Sequence, residues 1–375
     1  MTVAEDMWFL LGLIIIAFVF YDLFQSVILP RPAVGKIQIA RNIVRPMWRV
    51  WRWVSQRTAR LDRSEARLAA FAPVALLTLF LVWAASLVVG YGLLLNGLAE
   101  QIRPPPPDLL TSFYISASTL VPLAYGDFVP DGGAARLVII AESATGVGIA
   151  ALAITLLFSL YESFRAREEM VVSLDALAGA PPSGVQILET AAKHGLRPQL
   201  NTTFEDWRKW SAMVLESHLA YPLLGYFRSS HDNEAWINSF GAVMDAAILT
   251  ISTVDDDSEG TARLMFTVGT HLVEDLSWVF HFKGSDDPIV ERPEYEEAVE
   301  RLTRAGYKIK DKEAGWKEFA EMRARYATPL NQMANWLVIP PAQWIGDRSY
   351  LPHRAKRATR PRRRKAATGE SRSPS

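Results

Sequence analysis

The amino-acid sequence predicts an all-α membrane protein with three transmembrane helices, a re-entrant loop between the second and third, and a helical cytoplasmic domain. Three long apolar runs support this prediction, at residues 7–29, 71–98 and 137–161. Each is long enough to cross about 30 Å of hydrocarbon as a helix. From residue 165 onward the chain is charged and soluble in character, so the membrane part precedes it.

The first run predicts a transmembrane helix within residues 1–30. Glu5 and Asp6 precede it where a signal peptide has basic residues, and no small-residue cleavage site follows. Asp22 lies inside the run, and an ionisable residue there is a candidate functional group. The alternative is that Asp22 reaches the cytoplasmic interface or pairs with an arginine of the next segment.

Residues 31–67 carry ten Lys or Arg residues against two acids. Apolar residues recur there at steps of three and four, opposite a stripe of arginines, which predicts an amphipathic helix lying in the lipid headgroup plane. The tryptophans suited to that interface are Trp48, Trp51 and Trp53. An ordinary cytosolic linker helix is the alternative.

The same basic segment predicts the orientation. Short loops rich in Lys and Arg stay in the cytoplasm. We therefore expect an N-terminus outside, a second span that runs outward and a third that returns inward. The predicted location is the cell (inner) membrane, with everything after residue 165 in the cytoplasm.

The stretch between the second and third spans has a helix-start signal. Four prolines at 104–107 favour a stiff spacer, and Asp108 is a good N-cap for a helix from about Leu109 to Leu120. Irregular backbone at membrane depth is tolerated only where protein covers it or where it lines a water-filled cavity. The C-terminal end of this helix would point its partly negative dipole end toward such a cavity, where a cation would lie.

Residues 118–127, STLVPLAYGD, resemble the pore loop of the two-transmembrane potassium-channel family, which ends in TVGYGD. The resemblance covers roughly residues 70–165. It implies a pore domain at 68–165 in a homotetramer that passes monovalent cations, with potassium as the expected ion and no other cofactor. Ser118 and Thr119 would end the pore helix. The predicted selectivity filter, by resemblance, is Pro122, Leu123, Ala124, Tyr125, Gly126 and Asp127.

Three of these filter positions depart from the family. Tyr125, Gly126 and Asp127 match, whereas Pro122, Leu123 and Ala124 replace Thr, Val and Gly. A filter strand needs some residues with positive φ, which Gly126 supplies and which costs an alanine about 1–2 kcal/mol. Pro122 also lacks the threonine hydroxyl. The open alternatives are weak or non-potassium selectivity, retained potassium selectivity, and a pore fold that does not conduct.

The third span carries Glu142, Gly146 and Gly148. By resemblance, Gly146 or Gly148 is the gating hinge of the inner helix; alternatively the glycines only allow close helix packing. Glu142 is expected to make a structural hydrogen bond behind the filter. Asp127 either anchors the loop or forms an acidic ring at the outer mouth.

Residues 166–347 predict a domain of five or six helices, one of them from Lys312 to Leu337, and residues 168–347 hold 28 acids against 16 bases. His271 and Asp275 lie one turn apart and could bind a metal, but the preferred interpretation is a packing and assembly domain with neither metal nor enzymatic activity. Residues 348–375 hold ten bases and one acid, which predicts a disordered tail that binds anionic lipids rather than nucleic acid. The alternative to a channel is a non-conducting, membrane-anchored sensor or adaptor.

Overall fold

The computed structural model describes residues 3–29, 39–57, 61–123, 125–229 and 235–345. Of these described residues, 78% are helical. The helices in this part are α1 Val3–Leu23, α2 Ile39–Gln56, α3 Leu61–Gly97, α4 Leu109–Leu120, α5 Gly133–Ala178, α6 Gly184–Lys193, α7 Leu200–Ala220, α8 Trp236–Ser252, α9 Glu259–Phe280, α10 Arg292–Arg304, α11 Lys312–Ala324 and α12 Ala327–Trp336. The strands are β1 Ile102–Arg103, β2 Val129–Pro130, β3 Val254–Asp255 and β4 Lys308–Ile309. They form two antiparallel pairs, β1 with β2 and β3 with β4.

The predicted fold class is confirmed. Three helices are long and apolar enough to cross a membrane, at Glu5–Val27, Glu65–Gly97 and Gly133–Ala178. α3 and α5 run on across the predicted segment boundaries at residues 67 and 165. The division into segments remains a prediction, and the basic tail at 348–375 lies outside the described residues.

The chain folds into two compact units. The first contains Met1–Leu174, Asp206–Trp236 and His271–His281, and the second contains Asp175–Glu205, Ile237–Thr270 and Phe282–Ser375. In the first unit α1 packs along α3, with Val19 of α1 and Leu87 of α3 in one buried cluster. A Cβ on Gly12 would lie 2.4 Å from the Gly90 carbonyl oxygen, so the two helix backbones approach as closely as small residues allow.

Asp22 lies in this α1–α3 interface rather than at a membrane surface. Its side chain is 1% exposed and accepts a 2.8 Å hydrogen bond from Trp83 Nε1. Asp22 is therefore not exposed at the membrane surface, and its pairing with an arginine of the next segment stays a prediction. A tryptophan donor 61 residues further along the chain gives the carboxylate a hydrogen bond inside the protein.

The amphipathic helix at α2 is confirmed, but its apolar stripe faces inward. Trp48 is fully buried, with its ring 4.8 Å from Phe71 and 5.6 Å from Tyr226. The prediction that Trp48 lies at the lipid interface is wrong, because aromatic partners from distant segments cover it. Trp53 is 54% exposed on the outer side of the helix and remains available to lipid.

The second unit is a helical bundle around α8, whose Asp245 accepts hydrogen bonds from Arg323 and Tyr326. Seven α-helices begin after residue 166 in the described part of the chain, rather than five or six. The predicted helix from Lys312 to Leu337 is two helices, α11 and α12. Pro329 lacks an N–H to continue a helix, and it lies in the first turn of α12, where proline is tolerated.

Candidate functional site

The short helix α4 is positioned by its N-cap. The Asp108 carboxylate accepts hydrogen bonds from the backbone N and from Oγ1 of Thr111, both at 2.7 Å. These bonds to the charged form lower the pKa of Asp108. The helix occupies the predicted residues, Leu109–Leu120, so the helix-start signal in the sequence is confirmed.

Local hydrogen bonds end α4 at its C-terminus. The hydroxyls of Ser118 and Thr119 both donate to the Ile115 carbonyl, at 2.9 and 2.8 Å. The backbone N of Leu123 then donates to the Ser118 carbonyl at 2.8 Å, which turns the chain away from the helix axis. The candidate loop therefore begins directly at the partly negative end of the helix dipole.

The candidate filter residues follow this turn, and the rest of the chain leaves their side chains exposed. Leu123 is 51% exposed and Tyr125 is 65% exposed. Gly126 has a φ of +78°, the left-handed conformation that glycine adopts without steric cost. A Cβ on Gly126 would meet no atom within 4 Å. Ala124 lies outside the described residues, and the role of the filter residues remains a prediction.

Asp127 ties the end of the loop to the helix. Its Oδ2 accepts a 2.9 Å hydrogen bond from the hydroxyl of Tyr114 on α4. The Tyr114 ring is 6.4 Å from that of Phe128 in an edge-on arrangement. Beyond it, β2 pairs with β1 and joins the two ends of the segment between α3 and α5. Asp127 thus makes the anchoring contact expected of it.

Two contacts join α4 to α5 behind the loop. Glu142 is buried and accepts a hydrogen bond from Ser116, the structural bond expected for it. A Cβ on Gly146 would lie 1.9 Å from the Leu120 carbonyl oxygen, so α5 touches the last residue of α4 at this glycine. Gly148 has open space around it. The close approach supports the packing alternative for Gly146, and the hinge role of both glycines stays a prediction.

A second feature of α5, a buried cluster at its far end, was not predicted from the sequence. Arg167 is 1% exposed, with Nη2 donating to the Phe227 carbonyl at 2.7 Å and to Glu168 Oε1 at 2.9 Å. The Arg167 carbonyl accepts a 3.1 Å hydrogen bond from Trp210 Nε1. An arginine just after an apolar run usually marks a membrane interface. The tryptophans of the cluster, Trp210 and Trp236, lie 43 and 69 residues further along the chain, so no local pattern reveals it.

His218 completes this cluster as a neutral side chain. Its Nδ1 lies 2.9 Å from the Val214 carbonyl, which assigns the proton to Nδ1, and its Nε2 lies 3.5 Å from Arg167 Nη1. Burial, reinforced by the guanidinium of Arg167, lowers the pKa of His218 to about 3. The cluster holds the end of α5 to the segment at residues 206–236.

Comparison with known proteins identifies the region around the loop. Residues 75–163 match the family model described as "Ion channel". The chain is 24% identical over 206 residues to the uncharacterized membrane protein YdjJ of Bacillus subtilis (strain 168), covering 53% of this chain and 58% of that protein. The chain therefore spans less than two thirds of the length of this relative. No solved structure matches the chain.

Proposed function

Because residues 75–163 form an ion-channel domain of the two-transmembrane potassium-channel type, we propose that this protein is a homotetrameric channel for monovalent cations. Each subunit supplies one α4 helix and one loop at residues 121–127 to a shared axis. Potassium is the expected permeant ion, and the residues at 122–124 weaken its discrimination from other monovalent cations. The channel lies in the cell (inner) membrane with its N-terminus outside.

The observation that carries the proposal is the exposure of the loop. Val121, Leu123 and Tyr125 are each at least half exposed, although they lie between two apolar helices that span a membrane. Irregular backbone at that depth needs cover from protein or from a water-filled cavity. Further copies of the same loop around an axis provide both.

The electrostatics of the loop favour a cation. Backbone carbonyls can replace the hydration shell of an ion when several of them face one axis. The left-handed Gly126 supplies one of the backbone reversals that such an arrangement needs. The negative end of the α4 dipole lies directly before the loop and lowers the energy of a positive ion there.

The direct test is ion flux in proteoliposomes that contain the full-length protein. Wild type should pass potassium, whereas Gly126→Asp and Tyr125→Ala should reduce flux to background because they alter the loop backbone and its packing. Leu81→Ala on α3 is the matched control, since Leu81 is 69% exposed and distant in sequence from the loop. The control should keep wild-type flux.

A folded, reconstituted wild type with no cation flux would overturn the proposal in favour of the non-conducting sensor or adaptor. The double variant Pro122→Thr, Ala124→Gly tests selectivity, because it restores a hydroxyl and a glycine to the loop. Its potassium-to-sodium permeability ratio should rise. An unchanged ratio would refute the assignment of weakened selectivity to these two positions.

A further inference from the structure

The first unit contains a cavity of about 220 Å³ at the α2 end of the spanning helices. The π-helical turn Phe24–Ile28 after α1, one side of α2, and α3 and α5 line it, together with residues 220–223, 226 and 278–281. An apolar cavity of about 150 Å³ is already large enough to bind benzene. This cavity therefore has room for an apolar group larger than a single ring.

The walls of the cavity are apolar. Leu76 and Leu79 line it from α3, and Leu156 and Leu160 line it from α5. Such a surface offers few hydrogen-bond partners to water, so an alkyl group fits it better than water does. The walls suit a flexible alkyl chain.

Polar groups gather at the rim of the cavity. Arg45 of α2 lines it and is held by a 2.5 Å hydrogen bond from Nη2 to the Val279 carbonyl. Gln25 lies in the π-helical turn Phe24–Ile28, a rare geometry that is frequent at functional sites. Its Oε1 is buried and has no hydrogen-bond partner among the described residues. The rim thus offers a positive charge and an acceptor for a hydroxyl.

The cavity opens to the surface beside an exposed tryptophan. Trp278 lines it and is also 61% exposed. Tryptophan side chains concentrate at lipid headgroup level because one end is apolar and the other polar. α2, the helix that carries Arg45, also exposes apolar side chains, with Val50 63% exposed and Trp53 54% exposed. Such exposed tryptophans are typical of a surface that faces lipid headgroups.

We propose that this cavity binds an acyl chain of an acidic phospholipid from the leaflet that contacts α2. The chain lies among the leucines of α3 and α5, the phosphate lies beside Arg45, and a glycerol hydroxyl donates to Gln25. A zwitterionic lipid offers the same chain with no net charge for Arg45, so acidic lipids are preferred. Binding does not require ion conduction, so this proposal and the channel proposal fail independently.

The first experiment uses wild-type protein in nanodiscs with phosphatidylglycerol that carries a photoreactive diazirine in its acyl chain. Mass spectrometry of the labelled protein should place cross-links at Leu76, Leu79, Leu156 or Leu160 in addition to outward residues. Cross-links confined to outward residues such as Leu81, which is 69% exposed, would overturn the proposal. No variant is needed, so a folding defect cannot obscure the result.

The second experiment counts phospholipids retained in native mass spectra after exchange in equal amounts of phosphatidylglycerol and phosphatidylcholine. Arg45→Gln should lower the acidic-to-zwitterionic ratio about fivefold, the ratio that corresponds to ~1 kcal/mol for one basic charge near an acidic lipid. Arg49→Gln is the matched control on the exposed side of the same helix and should change the ratio much less. Equal effects would mean general surface attraction and would overturn the proposal.

A third measurement fills the cavity. Ala220 lines it, so Ala220→Phe should abolish lipid retention, whereas Ala85→Phe on the exposed side of α3 should not. Circular dichroism confirms that each variant is folded; if Ala220→Phe is not, the cross-links and the Arg45 ratio decide. Retention of phospholipid at the wild-type level in folded Ala220→Phe would contradict the proposal. Displacement of the phospholipid from wild-type protein by free fatty acid, which has no phosphate, would also contradict it.

Discussion

α3 and α5 flank the same loop, yet the chain covers them differently. In the most apolar stretch of α3, 33% of the residues are buried within the chain, against 6% in that of α5. α3 packs against α1, α2 and α4, which together form most of its surroundings. The two stretches are similarly apolar, so apolar character alone does not explain the difference. This chain leaves most of the α5 stretch uncovered, and in the proposed tetramer that surface contacts other subunits.

The far end of α5 is the exception. There Arg167 is fully buried and bound to residues of the 206–236 segment, while Leu157 and Phe158, only a few turns earlier, are 52% and 69% exposed. In the proposed channel, an inner helix that is mostly exposed along its span and fixed at one end would transmit a movement of that segment to the pore. The comparison therefore separates an exposed stretch of α5 from a fixed end.

The largest expected effect comes from breaking the fixed end. Arg167→Met removes the ion pair between Arg167 and the buried Glu168 carboxylate, and it removes donors from the Leu224 and Phe227 carbonyls. Loss of one partner of a buried pair typically costs about 3–5 kcal/mol. Denaturant titration in detergent should show this loss, and Arg165→Met at the exposed neighbouring position should show almost none. Equal stability of the two variants would mean that the cluster does not hold α5.

The next effect is a pH dependence of the same cluster. His218 is held neutral, with a pKa of about 3, whereas an unfolded histidine titrates near 6.5. The contribution of His218 to the free energy of unfolding is fully present above pH ~6.5. It is lost as the pH falls toward 3, because the unfolded chain then binds a proton that the folded chain excludes. The slope is at most ~1.4 kcal/mol per pH unit.

His218→Gln should flatten this acid limb in unfolding titrations between pH ~6.5 and ~4. His194→Gln, at an exposed histidine, is the control and should leave the limb unchanged. An acid limb that persists at full slope in His218→Gln would show that other groups control it.

The smallest expected effect comes from variants that test the contact between α5 and α4. Gly146→Ala places a methyl group where the Leu120 carbonyl lies, and the shift that relieves the overlap should cost about 1–3 kcal/mol. Gly148→Ala meets open space and should be neutral or stabilising by up to ~1 kcal/mol. Thermal unfolding of both variants measures the difference. Unchanged stability of Gly146→Ala would argue that this contact is not maintained in the assembled protein.

The sequence predicted what local chemistry determines. The bounds of α4 follow from Asp108 at its start and the turn after Leu120, all within thirteen residues, and the three spans follow from apolar length alone. The positive φ of Gly126 was likewise expected, because a filter-like loop demands a residue that tolerates it.

Contacts between segments that are distant in the sequence could not be predicted from local patterns. Trp48 has the pattern of an interfacial residue, but Phe71 and Tyr226 cover it. Arg167 has the pattern of an anchor at the membrane surface, but carbonyls 57 and 60 residues away bury it. In each case the helix period identified the element, and tertiary packing decided which side is covered. The cavity beside Arg45 is formed by six separate segments of the chain and has no sequence signature.

The central claim is that several copies of the loop at residues 121–127 meet on one axis. Electron cryomicroscopy of the full-length protein in nanodiscs tests it most directly. The account predicts a fourfold particle with Gly126 of every subunit beside the axis and with α5 lining the space below it. A single subunit whose loop packs against its own helices or lipid, with no shared axis, would contradict it.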